Sequence, residues 1–263
     1  MGNNSKRYTE FVIEVSADER RFLLFEKYNG IETSEFFADL DRLAQGEPVA
    51  YLIGWVPFLE CKIFLDSQPL IPRSETEYWV ERACSELQSR QVTRVLDLFA
   101  GSGAIGIAVL KKVTHSTVDF GEINEHHFPT IEKNITKNNL NKDRMQIFKT
   151  DVWSGVPLTM RYDAILANPP YLSKNRTERI EKSVALFEPS QALFADHNGF
   201  ALIEKTMRGL PDRMEKNGVS YIEHEPEHTK KIQTLAKELN LTSQTFPDQY
   251  GTLRFSRMVH SKH

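Results

Sequence analysis

Apolar side chains recur at helical spacing over residues 17–45, as Phe22, Leu23 and Phe25 and then as Phe36, Phe37, Leu40 and Leu43. The pattern predicts two short amphipathic helices split at Asn29-Gly30, with Thr33 or Ser34 capping the second. Their aromatic-rich faces suit internal packing and equally suit docking of a partner. The rhythm changes over residues 49–71 to strand-like pieces interrupted by Gly54 and Pro57, the pattern of a β-hairpin. Leu70-Ile-Pro-Arg-Ser-Glu-Thr-Glu77 then leads into a helix reaching about Ser89.

From Val92 onward, strand-like and helix-like segments alternate. Strands are predicted at 93–99, 116–122, 145–150, 162–167, 218–223, 242–247 and 253–260. Helices are predicted near 103–112, 125–139, 198–216 and 227–239. Such alternation predicts an α/β fold with a doubly wound, seven-stranded, mainly parallel sheet. The last two strands lie too close together for a helical crossover and are expected to pair antiparallel. Ligands in such sheets bind beyond the carboxyl ends of the strands. Asp97, Glu122, Asp151 and Asn168 all fall at or just after such ends, on successive strands.

Two stretches carry chemistry. The strand at 162–167 ends in Asn168-Pro169-Pro170-Tyr171. Asn168 supplies a side-chain carbonyl, and Pro169 supplies a main-chain carbonyl without an N–H. Two acceptors converging beside an aromatic ring suit a planar –NH2 group, each acceptor taking one N–H while Tyr171 lies against the π face. Downstream of a glycine-rich loop, this arrangement points to methyl transfer to nitrogen. The loop is Ala100-Gly101-Ser102-Gly103-Ala104-Ile105-Gly106, following the strand at 93–99. By letter it is G-x-G-x-x-G with the acidic Glu122 about 20 residues on, which fits a nicotinamide dinucleotide as well as S-adenosylmethionine. Asp97 favours the latter, because a carboxylate at the strand end receives the ammonium of a bound amino acid and repels a pyrophosphate. It equally fits a structural part, accepting backbone N–H bonds that fix the loop.

Composition narrows the class. The chain has 263 residues, with 40% hydrophobic and 26% charged, as in a globular enzyme. A net charge of −3 and an isoelectric point near 6.3 argue against broad binding to a nucleic-acid backbone. Lys133, Lys137, Lys142, Arg144 and Lys149 form a loose basic cluster that reads as a solvated face or as a local contact to RNA. Cys61 and Cys84 stand in no metal or redox spacing and read as small buried hydrophobes, which fits a reducing compartment. The first residues lead into no apolar signal segment, and no apolar run is long enough to span a membrane. The expectation is a cytoplasmic monomer with no membrane partner. His224-Glu-Pro-Glu-His228 matches H-E-x-x-H by letter. Pro226 suits only the first turn of a helix, so the segment reads as a strand-to-helix turn and no metal is expected.

Together these residues resemble the HemK/PrmC family, the protein-(glutamine-N5) methyltransferases that modify class-one peptide chain release factors. The resemblance runs from about Leu43 to Val259. It rests on Gly46-Glu-Pro-Val-Ala-Tyr-Leu52, Leu70-Ile-Pro-Arg-Ser-Glu-Thr-Glu77, Asp97-Leu-Phe-Ala-Gly-Ser-Gly-Ala-Ile105, Asn168-Pro-Pro-Tyr171, Phe187-Glu-Pro-Ser-Gln-Ala-Leu193 and Asp248-Gln-Tyr-Gly-Thr-Leu-Arg254. It implies a class I, Rossmann-like methyltransferase domain over 73–263, preceded by a helical substrate-docking region (1–48) and a β-hairpin linker (49–72). It implies S-adenosyl-L-methionine as cofactor, S-adenosyl-L-homocysteine as product and a release factor as protein substrate. Asp97, Gly101 and Gly103 would line the methionine and ribose, Glu122 would hold both ribose hydroxyls, and Asp151 would accept from the adenine amino group beside Val152. Asn168 and Pro169 would grip the substrate amide, with Pro170 and Tyr171 completing the site. Arg73 and Glu75-Thr76 would brace the pocket from the preceding helix start, with Arg73, Thr76 and Asn168 also contacting the cofactor. Ser74 departs from the family's usual proline, and Phe99-Ala100 from smaller, more polar residues. The N-terminal region looks shorter than in usual bacterial members, so a docking mode is not carried over. An N6-adenine methyltransferase on RNA or DNA is the alternative, since adenine N6 is also a conjugated –NH2; the N-terminal part, however, interleaves Glu and Asp with Lys and Arg. A cofactor-binding protein without catalysis is a third reading, against which the intact Asn168–Tyr171 stretch argues.

Overall fold

The computed structural model describes residues 14–173, 175 and 182–261. The start of the chain, read above as lacking a signal segment, lies outside the described residues.

Helix α1 (Ala17–Tyr28) begins in a capping box, the Ser16 hydroxyl accepting from the Glu19 N–H while the Glu19 carboxylate accepts from the Ser16 N–H. It ends where Asn29 and Gly30 turn into the left-handed region at φ 52° and 80°. Thr33 caps α2 (Ser34–Ala44) by accepting from the Phe36 N–H. Asp39, buried on α2, accepts from Lys27 and Tyr28 of α1 and from Arg42, which ties the two helices together. Residues 49–53 differ from the strand-like expectation: Val49–Ile53 form a short helix, α3. Leu52 is buried with Leu23, Phe36 and Leu43, and Val49 and Ile53 pack on the same cluster. Packing against two helices thus overrides the strand preference of β-branched residues.

The hairpin follows as β1 (Trp55–Phe58) and β2 (Cys61–Phe64), paired antiparallel. Its turn lies at Leu59-Glu60, both with positive φ, as two-residue hairpin loops demand. Gly54 closes α3 instead. Cys61 and Cys84 are free and buried, and burial pushes the Cys84 thiol up to about 12.

Next come α4 (Ser74–Ser89), β3 (Arg94–Leu98), α5 (Ala104–Lys112), β4 (Thr117–Glu122), α6 (Phe128–Lys137), β5 (Met145–Lys149) and β6 (Tyr162–Ala167). Then follow short β7 (Leu172–Ser173), α7 (Lys182–Phe187), α8 (Ser190–Leu193) and β8 (Phe194–Ala195), which no periodic pattern announced. The chain closes with α9 (Ala201–Arg213), β9 (Met214–Glu223), α10 (Thr229–Glu238), β10 (Leu241–Pro247) and β11 (Leu253–His260). Strand β9 begins earlier than expected, because Glu215-Lys-Asn-Gly218 reads as a loop by composition. The pairing with β6 is irregular over that stretch.

Among the described residues the main sheet has seven strands in the order β10-β11-β9-β6-β3-β4-β5. Neighbours pair parallel except β11, which runs antiparallel to both β9 and β10. One apolar cluster joins α4, α5 and α6 to one face, and a second joins α9 and α10 to the other. Two side-chain amides dock the hairpin on α6. Asn134 bonds both the N–H and the C=O of Phe64 (2.7 and 3.0 Å), and Asn138 does the same for Lys62 (2.9 Å each).

The third loop glycine, Gly106, sits where α5 presses on β4. A Cβ there would stand 2.3 Å from the Phe120 ring and 2.9 Å from Val118. Gly106→Ala is therefore expected to cost about 1–3 kcal/mol of unfolding free energy, the usual range for overpacking. A urea midpoint equal to wild type would show that the ring moves aside freely.

Candidate active site

A cavity of about 290 Å³ opens at the carboxyl ends of β3, β4 and β6. Phe99, Gly101, Glu122, Asp151, Val152 and Asn168 line it, with Leu70, Pro170, Gln191 and Leu202 completing the wall. Two of these residues hold unusual backbones. Phe99 has φ 67° and Val152 φ 56°, a region costly for bulky and β-branched side chains. Hydrogen bonds keep them there: the N–H groups of Phe99 and Ala100 both donate to the Gly121 carbonyl, and the Thr150 hydroxyl donates to the Val152 carbonyl.

Glu122 is buried at the end of β4. One of its oxygens accepts from the Gly101 N–H and the other from the Asn124 N–H, each at 2.8 Å. Gly101 and Gly103 both have positive φ, and the Gly103 N–H donates to the Ala100 carbonyl to close the loop. Asp151 lies at the rim, exposed, in an ion pair of 2.9 Å with Lys205. Such an exposed pair is weak, so its carboxylate stays exchangeable.

Asp97 is placed differently. It is wholly buried beneath the loop, where Oδ2 accepts from the Gly106 N–H at 2.8 Å while Oδ1 has no hydrogen-bond partner among the described residues. Burial, with the nearby charge of Glu122, pushes its carboxyl up to about 8. The geometry realises the loop-fixing role raised above, and Asp97 is not among the residues that line the cavity.

Behind Asn168 lies a buried polar network that no periodicity announced. The Asn168 Nδ2 donates to the Thr76 hydroxyl at 3.3 Å, and Thr76 donates to Glu223 Oε2 at 2.7 Å. The Trp79 indole N–H donates to the same oxygen at 2.6 Å, and the Tyr171 hydroxyl donates to Oε1 at 2.8 Å. Glu223 is 1% exposed. Burial raises its carboxyl above the ordinary range, against the pull of those three donors and of Arg254. Burial and the Glu223 charge likewise raise the Tyr171 hydroxyl. Pro169 is buried beside Asn168. Arg73 stands back from the cavity and pairs with Glu188 at 2.5 Å, while the other Glu188 oxygen accepts from the Ile71 N–H. That pairing joins the Leu70–Glu77 stretch to the segment carrying Pro189 and Gln191.

The comparisons with known proteins bear on this geometry. Residues 83–221 match the family model "Methyltransferase small domain". The release factor glutamine methyltransferase of Lactococcus lactis subsp. lactis is 31% identical over 197 residues, covering 75% of this chain and 71% of that protein. Its counterparts from Streptococcus pneumoniae (77% of this chain, 71% of that protein) and Bordetella pertussis (76% and 72%) are each 32% identical. This chain belongs to the release factor glutamine methyltransferase family. It is an enzyme, a methyltransferase. Solved structures agree on the fold. The ribosomal protein L11 methylase of Lactobacillus delbrueckii subsp. bulgaricus superposes with a TM-score of 0.56 at 14% identity, over 75% of this chain and 83% of that one. The hMettl16 catalytic domain bound to MAT2A 3'UTR hairpin 6 gives 0.59 at 15%, over 78% and 77%.

In this family member the His224–His228 segment is the expected strand-to-helix turn. His224 bonds the Ser256 hydroxyl and the Glu225 carbonyl, and His228 bonds the Asn198 carbonyl. Burial lowers His224 to about 4. The basic cluster is partly paired within the fold: Lys133 with Asp66, Lys149 with Glu125, and Arg144 with three carbonyls at the end of α5. No helix among the described residues is long and apolar enough to cross a membrane.

Asp97 generates a pH prediction. Its carboxyl ionises near 4 in the unfolded chain but only near 8 when folded. Between those values the unfolded chain binds fewer protons. The contribution of Asp97 to stability is therefore complete below about pH 4 and is lost as pH rises through about 8. Asp97→Asn keeps an acceptor for the Gly106 N–H and cannot ionise. Urea titrations should show the variant gaining on wild type between about pH 5 and about pH 8. An equal difference at both ends would contradict the burial argument.

Proposed function

We infer that this chain transfers a methyl group from S-adenosyl-L-methionine to the side-chain amide nitrogen, N5, of a glutamine in a peptide chain release factor. The observation that carries this reading is that Glu122 and Asn168 face one cavity, in a chain whose relatives are named for glutamine methylation. The named relatives do not favour the alternative substrate, adenine N6.

The donor set fits the cofactor. Each Glu122 oxygen already accepts one backbone N–H and retains a lone pair, so the carboxylate is pre-aimed for a vicinal diol. Phe99, Val152 and Leu202 give the wall apolar surface for an adenine ring, and Asp151 at the rim offers an acceptor for its amino group. When bound, the cofactor supplies an electrophilic methyl on a sulfonium, which is an excellent leaving group. Gly101 and Gly103 let the loop backbone come close to it.

The protein's own task lies on the nitrogen side. An amide nitrogen is a poor nucleophile because its lone pair is delocalised, as the ~18–20 kcal/mol rotation barrier of amides shows. Asn168 Oδ1 and the Pro169 carbonyl accept its two N–H groups, aim the nitrogen, and bind more strongly as those N–H groups become acidic in the transition state. Tyr171 supports the turn that presents these acceptors, its hydroxyl anchored on Glu223. A general base is not required, because the proton departs after transfer.

For the whole chain we further propose that residues 1–48 act as the substrate-docking region, 49–72 as the linker and 73–263 as the methyltransferase domain. A monomer in the cytoplasm suits this reading.

Labelled S-adenosylmethionine, supplied with release factor, RNA and DNA in parallel, tests the substrate. Label is expected on a release-factor glutamine; label on nucleic acid alone would reverse the reading. Glu122→Ala should weaken cofactor binding by about 1.5–3 kcal/mol, the scale of a hydrogen bond to a charged group. Unchanged affinity by calorimetry would remove Glu122 from the site. Asn168→Ala should bind cofactor normally and lose at least ~100-fold in kcat, the usual loss when one pre-aimed electrostatic partner is deleted. Wild-type turnover in that variant would make the Asn168–Tyr171 segment a structural turn only.

A further inference from the structure

The hydrogen bonds beneath Asn168 have a direction, and Trp79 sets it. An indole N–H can only donate. Glu223 Oε2, 2.6 Å from it, is therefore an acceptor, and the Thr76 hydroxyl 2.7 Å from the same oxygen gives it its hydrogen. A hydroxyl has one hydrogen, so Thr76 has only lone pairs left for the group on its other side. That group is the Asn168 amide, at 3.3 Å, which must turn its –NH2 to Thr76. The carbonyl end, Oδ1, is then the end left to face the cavity.

We propose that Thr76 and Glu223 are positioning residues that fix which way round the Asn168 amide sits, so that it offers an acceptor to the substrate amide. This rests on the reading above in which Asn168 accepts a substrate N–H. Inverted, the amide would set its carbonyl against the lone pairs of Thr76 and its –NH2 against the substrate –NH2. The sheet register supports the assignment. Ala167 pairs with Ile222 across parallel strands β6 and β9, which brings Asn168 level with Glu223. The same carboxylate also holds Tyr171, so it bonds one end of the Asn168–Tyr171 turn directly and reaches the other through Thr76. A proton on Glu223 Oε1 would reverse only the Tyr171 bond, leaving the direction at Thr76 unchanged.

Three variants test the direction of the chain rather than its presence. Thr76→Val keeps the shape but removes the hydroxyl, freeing the Asn168 amide to invert. Thr76→Ser restores the hydroxyl. Glu223→Gln keeps the direction, because the donating Trp79 N–H needs the carbonyl of the new amide beside it, leaving the –NH2 for Tyr171. Methylation of release factor should fall in Thr76→Val by on the order of 10-fold or more in kcat, the scale of losing a pre-aimed group, with cofactor Kd unchanged. Thr76→Ser and Glu223→Gln should stay near the wild-type kcat. A folded Thr76→Val with wild-type kcat would overturn the proposal, and so would a loss of cofactor affinity that accounts for the fall. If Thr76→Val does not fold, Thr76→Ala replaces it under the same two outcomes, and a large kcat loss in Thr76→Ser or Glu223→Gln, at normal melting temperature and cofactor Kd, also overturns the proposal. Failure of the underlying reading looks different, because then the wild-type chain itself places no label on release factor.

Discussion

A carboxylate removed from water must find its compensation inside the fold, and Glu223 is such a group. Its donors come from the first turns of α4, in Thr76 and Trp79, and from the end of the Asn168–Tyr171 turn. Those segments are remote in sequence and meet only when β6 and β9 pair in the observed register. Removing one donor would leave a buried charge short of partners, which is far costlier than losing a surface contact. The geometry around Asn168 is therefore not a local property of four residues. It is enforced by the helix before the glycine loop and by a strand that follows it by more than half the sheet.

Two further carboxylates assemble the rest of the cavity wall in the same manner. Glu122 joins the glycine loop to the end of β4 through the Gly101 N–H. Glu188 joins the Ile71 N–H and Arg73 to the segment that carries Pro189 and Gln191. In each case an acceptor carboxylate ties its own segment to another one, so the site is braced by the same bonds that hold the fold. Asp151 contrasts with them: exposed and weakly paired with Lys205, its carboxylate remains adjustable.

The sheet is legible in the sequence because its central strands are nearly continuous apolar runs, and because Gly101, Gly103 and Gly106 punctuate one strand-to-helix turn. The reversed last strand was legible from the short gap before it. The helix at Val49–Ile53 was not, because its type is decided by burial of Leu52 among two other helices. Glu223 was invisible for a related reason. A glutamate closing an apolar strand looks like a rim residue until its partners, remote in sequence, are brought together. Asp97 shows the opposite limit. Its place at a strand end is legible, but the turn of its carboxylate beneath the loop toward Gly106 depends on how the loop folds back over it.

The docking of the β1–β2 hairpin by Asn134 and Asn138 carries a consequence for the behaviour of the chain in a crowded cell. An open strand edge is a template on which another chain can add itself, and a two-stranded ribbon has little else to protect it. Here the outward N–H and C=O of Lys62 and Phe64 are already filled by amides spaced one helical turn apart, which mimic a neighbouring strand without offering a new edge. The α6 helix thus ends the ribbon as a closing strand would, and it does so with side chains that cannot propagate the ladder. The Asn134 amide also donates to the Ser102 carbonyl at 3.0 Å, so one side chain both closes the ribbon edge and holds the glycine loop beside the cavity.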